Sequence, residues 1–228
     1  DVLVSQVEND SESFVAGLNK ITGGNLWKID RPKSANWTTA TVRRDKAGQE
    51  QVLLQSGKGI HAVNPASGKV EWHYADGAAT IPSSALAGEM LFVPSHGLTA
   101  LKLGADGKSF EQKWRSGRLR PGTASPLVHG QKVYSLNNAG VLACADVDSG
   151  NRLWQLRLDG PFGGSPVVAD NHMYIFSEEG LAQVVDLTAP EGNVVGKMDL
   201  GEMIQCSPAV SNGALFVRSN GHIWKISR

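Results

Sequence analysis

Cysteine, histidine and paired acidic side chains are where this sequence could do chemistry, and their spacing argues against most of it. Cys144 and Cys206 are too few for a disulfide framework and lack the Cys-x-x-Cys spacing of a metal site. The histidines, His61, His73, His96, His129, His172 and His222, are dispersed without a His-x-x-x-His pair, so they read as surface or turn residues. Asp146 with Asp148 and Glu178 with Glu179 fall in turns, where solvation accounts for them. A carboxylate-pair glycosidase would need partners from different parts of the chain, and nothing points to one. Gly163-Gly164-Ser165-Pro166 is no nucleophile elbow, and there is no phosphate loop, His-Glu-x-x-His or dinucleotide fingerprint. Trp37, in Ala35-Asn36-Trp37-Thr38, lies off the register of the other tryptophans, as Trp224 does, and is a candidate contact for a partner. Asn36-Trp37-Thr38 also spells a glycosylation acceptor, which is taken as coincidence.

The elements that must position these residues repeat. Ser83, Ser125, Ser165 and Ser207 each open one phrase, with an aromatic nine positions on, and step by 42, 40 and 42 residues. A hairpin glycine recurs at Gly59, Gly97, Gly140, Gly180 and Gly221, and a tryptophan at Trp27, Trp72, Trp114 and Trp154. In the next copy Val194 and Val195 occupy the region where a tryptophan is due. The clearest copy, Ser125 to Trp154, divides into short alternating runs separated by turns, which predicts a four-stranded antiparallel meander. A period of about 41 residues with four strands per copy is what β-propeller blades need, because one blade cannot bury both faces alone. The expected architecture is all-β and a single domain over 1–228. It has an incomplete blade at 1–31, blades at about 38–75, 80–117, 122–157 and 162–200, and an incomplete blade at 205–228, roughly five and a half in all. No long helix and no linker are expected.

Composition narrows the partners. An apolar content of 41% supports a buried core, and 22 basic against 22 acidic residues give zero net charge. No field of one sign is present to hold nucleic acid or an anionic membrane. No run is long and apolar enough to span a bilayer, and the chain opens without a signal-peptide pattern, so any export signal is expected to have been removed or never present.

Cys144-Ala145-Asp146-Val147-Asp148-Ser149-Gly150-Asn151-Arg152-Leu153-Trp154 resembles the tryptophan-docking motif of PQQ-like (quinoprotein alcohol dehydrogenase-like) propeller repeats. Ala62 to Trp72 matches again, as do Gly17-Leu18-Asn19, Thr22-Gly23 and Trp27, and the resemblance covers essentially the whole chain. It implies a propeller, usually of seven or eight blades, so this chain looks like the C-terminal part of a longer protein. In it Gly23, Gly68 and Gly150 make tight turns, Asp146 binds a turn backbone, and Trp27, Trp72, Trp114 and Trp154 dock on the neighbouring blade. Two branches share the repeat. The PQQ-dependent dehydrogenases carry adjacent cysteines over the quinone and a Ca²⁺ site, and no Cys-Cys pair exists here. The non-catalytic, BamB-like branch is the better match, and implies an exported bacterial protein, periplasmic or extracellular, with no catalytic, cofactor or metal residues. PQQ with Ca²⁺ would enter only under the dehydrogenase alternative, completed by further blades. A carbohydrate-binding module using Trp37 is a third reading. The hairpins at Lys58, His96, Asn138, Glu179 and Asn220 share one repeat position. With Trp37 they form the expected binding face for a protein, peptide or glycan.

Overall fold

The computed structural model describes residues 1–227, all of it strand, turn and loop. Two compact units divide the chain at Arg115 and Ser116. The first unit holds three sheets: β1 (Val2–Val7), β2 (Phe14–Asn19) and β3 (Asn25–Asp30); then β4 (Thr41–Arg44), β5 (Glu50–Ser56), β6 (Gly59–Val63) and β7 (Val70–Tyr74); then β8 (Ala85–Ala87), β9 (Met90–Val93), β10 (Leu98–Leu103) and β11 (Phe110–Ser116), which closes at the boundary. The second unit holds β12 (Leu127–His129), β13 (Lys132–Leu136), β14 (Val141–Asp146) and β15 (Arg152–Arg157); then β16 (Val167–Ala169), β17 (His172–Phe176), β18 (Leu181–Asp186) and β19 (Asn193–Asp199); then β20 (Ala209–Ser211), β21 (Ala214–Arg218) and β22 (Ile223–Ser227). Consecutive strands are neighbours in every sheet, the meander that short turns between alternating runs produce. These are β-propeller blades. The last residue of the final blade anticipated at 205–228, Arg228, lies outside the described residues.

The middle strands of the inner sheets are buried on both faces, and the cores form between neighbouring sheets. In the first unit Val15, Val52, Leu54 and Val63 meet in one cluster, and Leu53, Ile60, Trp72, Leu91 and Leu101 in the next. In the second unit Tyr134, Leu142, Trp154, Ile175 and Val185 form one cluster, and Phe176, Ile204 and Val217 another. Burial on both sides explains the continuous apolar runs of the middle strands.

The outer strand has a fixed irregularity. Trp27 pairs with Gly17, Trp72 with Ala62 and Trp154 with Cys144, and in each case one residue before the tryptophan is bulged out of register. A Cβ on Gly17 would stand 2.2 Å from the Trp27 ring. The indole thus lies across its strand neighbour, and that neighbour must be small. The register also moves one expectation: in the copy lacking tryptophan the equivalent position is Gly196, paired with Val184, and not Val194 or Val195. There the sizes are exchanged across the pair, with Gly196 in place of the indole and Val184 in place of the small residue, and the glycine leaves Val184 room at 3.7 Å.

Candidate binding face

In four of the sheets the hairpin between the second and third strands carries a polar side chain at its start that bonds back to the turn. Ser56 Oγ accepts from the Lys58 amide (3.2 Å), Asn137 Oδ1 from Val141 (2.9 Å), Ser177 Oγ from Leu181 (3.1 Å) and Ser219 Oγ from His222 (3.1 Å). These side chains satisfy turn amides that the strand ladder leaves free. The glycine that follows does a second job. At Gly140 and Gly180 φ is 79° and 95°, and an added Cβ would fall 2.7 Å from the Leu158 carbonyl oxygen and 2.5 Å from that of Glu202. Those carbonyls belong to the joins that lead to the next sheet. The joins are tied to the same glycines, Leu158 N donating to Gly140 O (2.8 Å) and Leu200 N to Gly180 O (3.0 Å). Hairpins and joins therefore share one end of each sheet, which brings Trp37, on a join, to the same end as Lys58.

All six residues expected on the face are exposed, but they divide by what their side chains do. Asn138 Oδ1 accepts from the Thr123 amide (2.9 Å) and braces a join, and His96 Nε2 lies 3.0 Å from the Asp76 carbonyl oxygen. Asp76 also pairs with Arg115, whose hydrogen bond holds its carboxyl below the usual carboxylate range. Lys58, Glu179 and Asn220 project free of side-chain bonds among the described residues. Trp37 is 68% exposed, and its amide donates to Thr80 O (2.8 Å) on the next join, where Ile81 is 47% exposed. An indole and a sec-butyl group are thus both exposed on adjacent joins, unlike the docked tryptophans.

Beneath this end of the first unit runs a buried polar network with no sequence signature. The Glu8 and Arg31 side chains, each 1% exposed, form an ion pair at 2.6 Å. Asn36 Nδ2 donates to Glu8 Oε2 and to Gln55 O, both at 2.8 Å, so the asparagine of the supposed acceptor sequon is committed to the interior. Arg31 reaches His61 Nδ1 (2.6 Å), and His61 stacks on His73 with ring centroids 3.9 Å apart. Burial first, then the charges of His73 and Arg31, push His61 down to about 4, so at neutral pH its neutral ring accepts a hydrogen bond from Arg31. In the second unit Glu202 accepts from Ser219 Oγ, and its Oε1 lies 2.5 Å from His222 Nδ1. Serine and histidine both face the acid, so this is not the acid, base and nucleophile series of a hydrolase.

The docking residues have their own geometry. The Trp27 indole donates to Pro65 O (2.8 Å) and lies where a Cβ on Gly68 would stand 2.6 Å from it, and a Cβ on Gly192 would stand 2.5 Å from the Trp154 ring. Gly23, Gly68 and Gly150 have φ near 70°, and Asp146 Oδ1 accepts from Ser149 N (2.8 Å). Trp72 packs on Phe110 and Trp114 on Phe92, with centroids 5.2 and 5.8 Å apart.

The residues do not fit a quinone held under vicinal cysteines. Cys144 is fully buried in β14, with its thiol pushed up to about 11 by burial, and Cys206 precedes β20 two sheets later. Among the described residues no three His, Cys, Asp or Glu side chains are placed to hold a metal, and no helix is long and apolar enough to cross a membrane.

No curated protein sequence matches the chain. Among solved structures, BamB from Moraxella catarrhalis superposes with a TM-score of 0.75 at 16% identity, over 96% of this chain and 67% of that one. The computationally designed Ika8 protein gives 0.70 at 12% identity, over 99% and 68%. A europium-containing methanol dehydrogenase gives 0.69 at 13%, over 95% and 63%. At such identities these likenesses carry the fold alone. The family model described as outer membrane protein assembly factor BamB matches residues 2–93, 98–195 and 138–228. With nearly every blade matched, docking tryptophans included, the chain belongs to the BamB-like family of PQQ-like propeller repeats.

Proposed function

We propose that this chain is a non-catalytic binding scaffold of an exported bacterial protein, working in the periplasm, and that it engages a protein or peptide through the end where hairpins and joins meet. One observation carries the reading: Trp37 and Ile81, two large apolar side chains on adjacent joins, stand exposed on an end whose backbone is otherwise held by hydrogen bonds. Rigid backbone under exposed aromatic and aliphatic groups is the arrangement of an interface hot spot, because binding then costs little ordering entropy. The family to which the chain belongs, described by outer membrane protein assembly, supports the compartment.

A photoreactive amino acid placed at Trp37, in the whole protein in its native envelope, tests this. A discrete crosslinked protein is expected from position 37 and none from Ser67, an exposed turn at the opposite end of the same sheet. Equal labelling from both would sink the reading. Calorimetric titration with PQQ in Ca²⁺ tests the dehydrogenase alternative, and the scaffold reading expects no saturable heat.

A further inference from the structure

Next to Trp37 the first unit opens into a pocket of about 450 Å³, lined by Glu8, Lys33, Ser34, Ser56, Gly57 and Lys58. Gly57 joins the pocket to the apolar pair, since the Thr80 methyl stands 3.7 Å from where its Cβ would lie and Thr80 holds the Trp37 amide. The charges are not balanced at the mouth. Glu8, in the wall, is spent inward: Arg31 and Gln6 donate to one oxygen and Asn36 to the other. Asp10, two residues after Glu8, accepts from the Ala35 amide (3.0 Å). Lys33 and Lys58 are both exposed, and neither has an ion-pair partner among the described residues.

Resting on the protein-binding reading above, we propose that this pocket receives an acidic side chain of a partner polypeptide, with a neighbouring apolar side chain of the same segment set on Trp37 and Ile81. Two ammonium groups flanking a concave site attract a carboxylate, and a carboxylate held there is partly desolvated, which strengthens the pairing over that of an open surface. The hydroxyls of Ser34 and Ser56, which also line the pocket, can donate to a carboxylate seated there. A volume of this size takes one or two side chains, not a folded domain, so the occupant is an extended segment or loop. The chain carries no net charge, so the attraction is local and selects by position, not by bulk charge.

Random dodecapeptides displayed on phage and selected against the whole chain provide the probe. Enriched peptides are expected to pair Asp or Glu with an aromatic or aliphatic residue close by. The leading synthetic peptide should bind the Lys33→Glu, Lys58→Glu double variant about tenfold or more weakly. Trp37→Ala should cost about threefold or more, and all variants should keep the wild-type urea midpoint, since the three side chains are exposed. Enrichment of basic or uncharged peptides, or charge reversal that leaves affinity within about twofold, overturns the acidic pocket. If enriched peptides are instead weakened by His96→Ala or Glu179→Ala, the pocket is wrong and the scaffold reading stands. Failure to enrich any peptide, with binding to immobilised glycans, overturns both.

Discussion

Each unit stations a carboxylate where a join meets the end of a sheet, and the two are treated in opposite ways. Glu8 in the first unit is sealed under the joins with Arg31, and three side chains, from Arg31, Gln6 and Asn36, donate to its oxygens. Glu202 in the second unit also has three donors, Ser219, His222 and the Gly221 amide, but its side chain is 27% exposed and that of His222 66%. Partner number is the same, and water access differs. Desolvation therefore decides what each cluster does: the sealed pair must be kept whole because half of it is a buried charge, whereas the open cluster can exchange any partner for water.

The strongest way to break this contrast is to remove one buried partner. Glu8→Ala leaves Arg31 buried without its counter-ion and is expected to cost about 3–5 kcal/mol in urea unfolding. A small loss would mean that water reaches the network. Asn36→Ala deletes two hydrogen bonds to buried acceptors and should cost about 1–3 kcal/mol. Replacing Thr38 alone, which abolishes the sequon but leaves Asn36, should cost less.

Acid sharpens the contrast. His61 is held at about 4 against its ordinary value of 6.5, so the unfolded chain binds a proton that the folded one refuses throughout that window. Stability from this residue is full above the unfolded value and is lost as pH falls from 6.5 to 4. After allowance for solvent screening the loss is about 1–2 kcal/mol, read as the difference between wild type and His61→Gln in urea at neutral pH and near pH 4.5. Glu202 responds later. The Ser219 hydroxyl, then His222 and the Gly221 amide, hold its carboxyl below the usual range, so its contribution persists above the ordinary value of 4.5 and goes only as pH falls through the lowered one. The smallest effect is expected for Glu202→Ala at neutral pH, where the urea midpoint should stay within error and lose any residual salt dependence. A large shift there would remove the distinction between the two clusters.

Much of the fold was open to sequence reading because its rules are local. Gly140 and Gly180 mark hairpins because L side chains avoid their φ, and Asp146 marks the docking turn because its carboxylate reaches amides two and three residues on. The missing tryptophan was placed only to a region, since a bulge shifts the outer strand by one residue and no composition rule announces it. The end proposed to bind was legible as a set of equivalent hairpins. Its division into braces such as Asn138 and free side chains such as Lys58 was not, because that depends on which join passes within reach. Lys33, Glu8 and Ile81 escaped notice altogether, lying in segments that the repeat does not constrain.

What the sequence determined by itself was the blade: where strands turn, which runs are apolar, and that a bulky indole recurs once per copy. These follow from backbone sterics and the two-residue period of a strand, which act over a few residues. Tertiary structure alone decided that Glu8, Arg31, His61 and Gln55, from a hairpin, a join and two strands, would share one buried network, and that Lys33 and Lys58 would flank one pocket. Such neighbours are set by how sheets stack and how far joins reach, and the energy of a charge depends on the water that stacking excludes.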